Sequence, residues 1–292
     1  MEVASGPAQI LPERLCDRLS ETAARRRTWI LAALASPLVG IAICAAMTRS
    51  DEPTVANGIA WMAGVSLVIA SFAVAVILLG RANAQLASVV TRDWAEEKGF
   101  DYSPAAGAEE FERLRSACLS VRFVKASFTH RIAGTLCDRR FEMGQFATVS
   151  GENSEGGRYF RFERRASGAG RIVVRPSYGW MDFGSTMTEV KCAEDKRFTK
   201  WLKLFSDRPA EAKSWADAGR REFLFRLAET GKMRFLADVE PDRAFILLYF
   251  HNLVRPGSRF VPASAAKRAI RIRTHLDKTL ILAREMMEEL DR

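Results

Sequence analysis

Two long charge-free runs near the N-terminus constrain this chain more than any other feature. Residues 28–48 (TWILAALASPLVGIAICAAMT) and 53–80 hold no Asp, Glu, Lys or Arg, and only Arg49-Ser50-Asp51-Glu52 parts them. About 20 helical residues at 1.5 Å rise match the ~30 Å hydrocarbon core of a bilayer. One Asp or Arg at the centre of either run would cost roughly 2.5–3.5 kcal/mol on an insertion scale. The expectation is a transmembrane helical hairpin over residues 28–80, with Pro37 as a kink in its first helix.

Basic residues set the expected orientation. Arg25, Arg26 and Arg27 abut the first run and Arg81 closes the second, whereas the connecting turn has only Arg49 beside two acids. The positive-inside rule then places both termini in the cytoplasm of a multi-pass inner-membrane protein. The same four arginines, Arg25, Arg26, Arg27 and Arg81, are the candidate contacts to anionic lipid head groups. Two other readings compete. A signal peptide would need a shorter apolar region and no long polar segment before it. Buried helices of a domain this size seldom run charge-free twice.

The chain has 292 residues and a formal net charge of +9; residues 1–80 are close to neutral, so the excess sits in 81–292. The expected organisation is a cytosolic segment over 1–27 with a short amphipathic helix, the hairpin over 28–80, and a cytosolic α+β domain over 81–292. The domain is long enough for a sizeable core. The five cysteines (Cys16, Cys44, Cys118, Cys137 and Cys192) lack CxxC spacing, which suggests neither a zinc site nor a disulfide framework.

Beyond the hairpin, Arg81–Lys98 reads as a helix stopped at Gly99, and Ala108–Leu119 as a second. The period then changes to two. Strands are predicted around Arg131–Leu136, Phe141–Val149, Arg158–Arg164, Arg171–Arg175 and Met187–Cys192, with Gly151–Gly157 (GENSEGG) as a hairpin loop. In Arg158–Arg164, Phe160 and Phe162 share one face; Tyr159, Arg161 and Glu163 share the other. The first pair belongs in a core, and Tyr159 is the aromatic left for stacking. Pro209 opens helices that run to about Glu229 and end at Gly231. A hairpin of Met233–Asp238 and Ala244–Phe250 follows. Last comes a long amphipathic helix, Ala263–Leu290, striped by Ile272, Leu276, Thr279, Leu280, Ala283, Met287 and Leu290. The strands form an antiparallel meander, and the class is α+β on a two-helix anchor.

Several of these segments resemble the bacterial domain-of-unknown-function family numbered 3137. The likeness rests on Trp94 to Pro104, on Ile132-Ala133-Gly134, on Phe198 to Asp207 with the helix and two strands after it, and on Arg259-Phe260-Val261-Pro262. The chain departs from that pattern in lacking a Phe-x-Gly near Phe160–Phe162. The resemblance implies topology and brings no activity with it.

Motifs of catalysis are few. His130, His251 and His275 form no HExxH, and neither GxxxxGK[ST] nor GxGxxG occurs. Arg158, Arg161, Arg164, Arg165, Arg171 and Arg175 form a basic set that suits a solvated face or anionic lipid better than nucleic acid. The expectation is a membrane-anchored interaction module with no catalytic residues, cofactor or metal, binding a protein partner or the inner leaflet. The alternative is a membrane-tethered enzyme with a site built from dispersed residues.

Overall fold

A computed structural model describes residues 55–105, 125–150, 153–165, 170–177, 187–192, 194–232, 234–249 and 265–292, apart from isolated positions at 193 and 233, and scattered helical positions between 15 and 46. Contacts divide the chain into two compact units, Met1–Val90 with Pro256–Ile272, and Thr91–Arg255 with Arg273–Arg292. Two of the cuts, between Val90 and Thr91 and between Ile272 and Arg273, fall inside helices.

In the first unit the main element is the N-terminal part of helix α1 (Val55–Glu97). Leu15, Leu19, Leu86, Ala87, Val90, Ala269 and Ile272 are buried there. They enclose Arg268, whose Nη1 donates to Asn83 Oδ1 at 2.5 Å. A buried guanidinium needs such an acceptor. Further up α1 the chain comes close to itself: a β-carbon on Gly40 would lie 2.6 Å from Val68 Cγ2.

The transmembrane hairpin expected from the sequence is not what this unit shows. Among the described residues, no helix is long and apolar enough to cross a membrane. The described stretch of α1 places Ala63, Gly64, Ser66, Ala70, Ser71 and Ala73 among its bulky residues. The helix continues past Gly80 through Arg81, Arg92 and Asp93 to Glu97, as the helical reading of Arg81–Lys98 with its stop at Gly99 requires. The first apolar run is described only in part, at 11 of its 21 positions, all of them helical. The inner-membrane, multi-pass location and the integral-membrane partnership fall with the hairpin.

The second unit is α+β. A nine-stranded antiparallel sheet has the order β1-β2-β3-β4-β9-β8-β5-β7-β6. The strands are β1 (Asp101–Ala105), β2 (Lys125–Leu136), β3 (Arg139–Ser150), β4 (Asn153–Glu163), β5 (Ile172–Pro176), β6 (Thr188–Val190), β7 (Leu202–Ser206), β8 (Phe235–Val239) and β9 (Arg243–Tyr249). The helices are α2 (Lys196–Trp201), α3 (Pro209–Trp215), α4 (Ala218–Thr230) and α5 (Ala265–Asp291). Local chemistry places the boundaries. Gly99, at φ +73, stops α1. Cys137 and Asp138, at φ 53 and 61, make the two-residue turn between β2 and β3. Asp195 and Asp217 cap α2 and α4 by accepting from Phe198 N and Arg220 N, and Gly231 closes α4.

The Gly-rich stretch is strand where a loop was expected. Ser154 to Gly157 of β4 pair with Phe146 to Val149 of β3, and Gly151-Glu152 lie outside the described residues. The glycines serve a close approach. A β-carbon on Gly157 would collide with the Leu248 carbonyl of β9.

One face of the sheet buries Ile132, Met143, Phe160 and Phe162. Arg158 of β4, on the same face, donates to Thr279 of α5 at 2.7 Å. The α5 stripe of Leu276, Thr279, Ala283, Met287 and Leu290 is buried as its spacing predicts. Three arginines hold the end of this helix. Arg164, just past the end of β4, donates to the Leu290 carbonyl at 2.6 Å, the Glu240 carbonyl at 2.7 Å and Asp291 Oδ1 at 3.1 Å. Arg220 donates to the Glu289 carbonyl, and Arg139 to the Met287 carbonyl and the Asp291 carboxylate. Burial pushes the Arg164 pKa down to about 10, and the Arg220 and Arg139 charges add to that.

Arg164→Ala strips a buried carboxylate and two carbonyls of their donor at once. It is expected to cost about 3–5 kcal/mol in urea unfolding. Arg140→Ala, removing a side chain that is 85% exposed, is expected to stay within about 0.5 kcal/mol of the parent.

Candidate functional site

The opposite face of the sheet carries the candidate site, and cross-strand register builds it. Asp101, Ala133, Glu142, Arg161 and Phe245 stand side by side across β1, β2, β3, β4 and β9. The next row toward the rim is Thr135, Arg140, Glu163 and Arg243. Apart from Phe245, these side chains together with Arg131 and Asp242 line an open recess of about 510 Å³ that carries four arginines and four carboxylates. At ~4.8 Å per strand the row spans roughly 20 Å from β1 to β9.

Glu142 is its centre. The side chain is 11% exposed, Tyr159 donates its hydroxyl to Oε1 at 2.8 Å, and Arg131 Nη2 donates to Oε2 at 3.4 Å. Arg161 approaches to 4.0 Å. Two local irregularities make this possible. Register slips between Thr129 and Ile132 of β2, and His130 sits at φ 53 in that bulge. The extra residue turns Arg131 onto the Glu142 face while Ile132 stays with Met143 on the other. On β3, Gly144 has no β-carbon where the Tyr159 ring lies across the strand; any larger residue would run into that ring.

Beyond Tyr159 the face is apolar. Phe128, Phe146, Tyr159, Val173, Leu236, Phe245, Leu247 and Tyr249 form one buried cluster. Asp238 is set within it, and Arg171 grips its carboxylate from two nitrogens at 2.9 and 2.5 Å. Burial raises the Asp238 pKa, and Arg171 works against that rise.

The arginines singled out in the sequence scatter. Arg25, Arg26 and Arg27 lie outside the described residues, and Arg81 is exposed on α1. Of the basic set, Arg158 and Arg164 are buried beneath α5, Arg171 holds Asp238, and Arg175 lies over the Phe205 ring at 4.9 Å. Only Arg161 lines the recess. Phe160 and Phe162 are core as alternation requires. Tyr159, however, is 2% exposed and committed to Glu142, so it is no stacking platform. Glu142, Arg131, Arg140 and Arg243 carried no motif. The signal that could have found them is the Cys137-Asp138 turn, which fixes Ala133 opposite Glu142.

No known protein family matches the chain, and no curated protein is similar to it. Among solved structures, the crystal structure of the mycobacterial trehalose monomycolate transport factor A, TtfA, is similar. The similarity covers 66% of this chain and 94% of that one, at 12% identity and a TM-score of 0.38. At that level neither fold nor function transfers. Among the described residues, no His, Cys, Asp and Glu side chains group as a metal site requires.

His130 gives the site a pH response. Its Nδ1 meets the Tyr102 hydroxyl at 2.9 Å, and Arg92 lies 5.9 Å from the centre of the Tyr102 ring. Burial lowers the His130 pKa below 6.5, so the unfolded chain takes up the proton more readily than the folded one. The resulting stability is complete above about pH 6.5 and is lost as pH falls through the folded-state value. His130→Asn keeps a residue that tolerates positive φ and removes the titration. The drop in urea midpoint between about pH 7.5 and pH 5 is expected to be smaller in this variant than in the parent.

Proposed function

We propose that this protein is an interaction module whose charged recess receives a mixed-charge segment of a protein partner. The observation that carries this reading is the state of the charges lining it. Arg140 and Arg161 reach their carboxylates only at 3.9 and 4.0 Å, and Asp101 and Asp242 have no ion-pair partner among the described residues. Loosely engaged cations and unengaged anions, about 20 Å apart at the extremes, suit a partner carrying both signs. A recess open along a sheet face also suits an extended segment better than a small molecule, which is usually enclosed over most of its surface.

A photo-crosslinking amino acid placed at Thr135, in the full chain and in cells, is expected to capture one or a few discrete proteins. Adding Arg161→Glu, which sets a second acid beside Glu142, is expected to lower that yield by about tenfold or more, since like charges facing each other cost several kcal/mol. An adduct pattern indifferent to Arg161→Glu, in a protein whose thermal unfolding is unchanged, would refute the recess as the docking site.

A further inference from the structure

Helix α1 presents a second surface that the recess does not explain. Between Ile59 and Ile77 it leaves eight bulky apolar side chains in solvent: Ile59, Trp61, Met62, Leu67, Ile69, Phe72, Val74 and Ile77, at 44–70% exposure. At 100° per residue, Ile59, Met62, Leu67, Ile69, Val74 and Ile77 fall on one side of the helix. Gly64, Val65, Val68, Ser71 and Leu78 are the less exposed positions, and Gly64 and Val68 meet the chain around Gly40. The small-residue contact that Gly64 offers is therefore already used within the chain. The exposed stripe is what is left over.

We infer that this stripe pairs with the same stripe of a second copy of the chain. Three features favour a like partner. At roughly 100 Å² for each side chain, the six residues on that side come to about 600 Å² per partner, the lower end of the ~1,200–2,000 Å² in total that a stable interface buries. An isologous two-fold interface requires a surface that complements itself, and a stripe without charge meets its own copy with no like-charge penalty. A different partner would be selected by charged or buried polar groups at the contact, and this stripe has none to offer. The order Ile59, Met62, Ser66, Ile69, Ala73, Ile77 steps by three and four residues, all exposed where described. Large side chains of one helix then fall opposite the small Ser66 and Ala73 of the other, in the shallow crossing of knobs-into-holes packing.

The test is site-specific photo-crosslinking of the full chain in intact cells, with the probe at Ser66, at Ala73, or at Gln85, an exposed α1 position about two turns beyond the end of the stripe at Ile77. Two differently tagged copies are expressed together. Products of twice the chain mass carrying both tags are expected from Ser66 and Ala73 and not from Gln85. Adding Ile69→Lys is expected to reduce those products at least fivefold, while limited proteolysis of the second unit stays the same. The inference is overturned if no dual-tag product forms at Ser66 and Ala73, if all three positions give it equally, or if adducts to other proteins alone appear. Because the recess and the stripe are probed at separate residues, failure of one leaves the other standing.

Discussion

The C-terminal end of α5 is the point on which the second unit depends. A helix end gathers partial negative charge from its last free carbonyls, equivalent to about half an elementary charge. Here Arg139, Arg164 and Arg220 arrive from β3, the end of β4 and α4 and satisfy the Met287, Glu289 and Leu290 carbonyls and the Asp291 carboxylate. Arg164 is the innermost, with a side chain 1% exposed. Burial, and after it repulsion from the Arg220 and Arg139 charges, makes Arg164 bind its proton less firmly than an arginine in water. The arrangement holds only while each guanidinium is matched by acceptors, so it acts as a geometric lock on two strands and two helices.

The lock and the recess are opposite faces of the same strands. In β4, Arg158, Phe160 and Phe162 face α5, and Arg164 follows them to its end; Tyr159, Arg161 and Glu163 face the other way. Securing the helix end therefore fixes the height and direction of the row that contains Glu142 and Arg161. The bulge at His130 and the bare backbone at Gly144 then make the local adjustments, one turning Arg131 inward and the other giving Tyr159 room to reach Glu142. A strand without these two irregularities would keep the register and lose the cluster.

This division explains what could be read from the sequence. Alternation assigned Phe160 and Phe162 to a core, three- and four-residue spacing assigned the α5 stripe, and Gly231 marked the end of α4, because each depends on neighbours along the chain. The roles of the arginines depend on partners far away in sequence. Arg164 meets Leu290 and Arg158 meets Thr279, and nothing in the composition of RYFRFER separates these from Arg161, which lines the recess. Gly156 and Gly157 looked like loop because glycine usually is. Their actual constraint is the nearness of Phe146 and Leu248 carbonyls on neighbouring strands. The transmembrane reading of the apolar runs is not carried by the structure, where no helix among the described residues is long and apolar enough to cross a membrane.

The two surfaces should differ in kind as well as place. Recess charges are already partly compensated by one another, so a partner exchanges ion pairs for ion pairs and gains little net energy from each. Its affinity would be modest, faster to form at low salt and weakened by ionic strength. The α1 stripe has no charges to screen and draws its stability from removing apolar surface from water, which salt does not weaken. Salt dependence thus separates the two without structural information: contacts through Arg161 fade as ionic strength rises, while contacts through Ile69 persist. A single interface using both would show an intermediate slope that neither Arg161→Glu nor Ile69→Lys abolishes alone, whereas independent surfaces leave each variant with the unaltered salt response of the other.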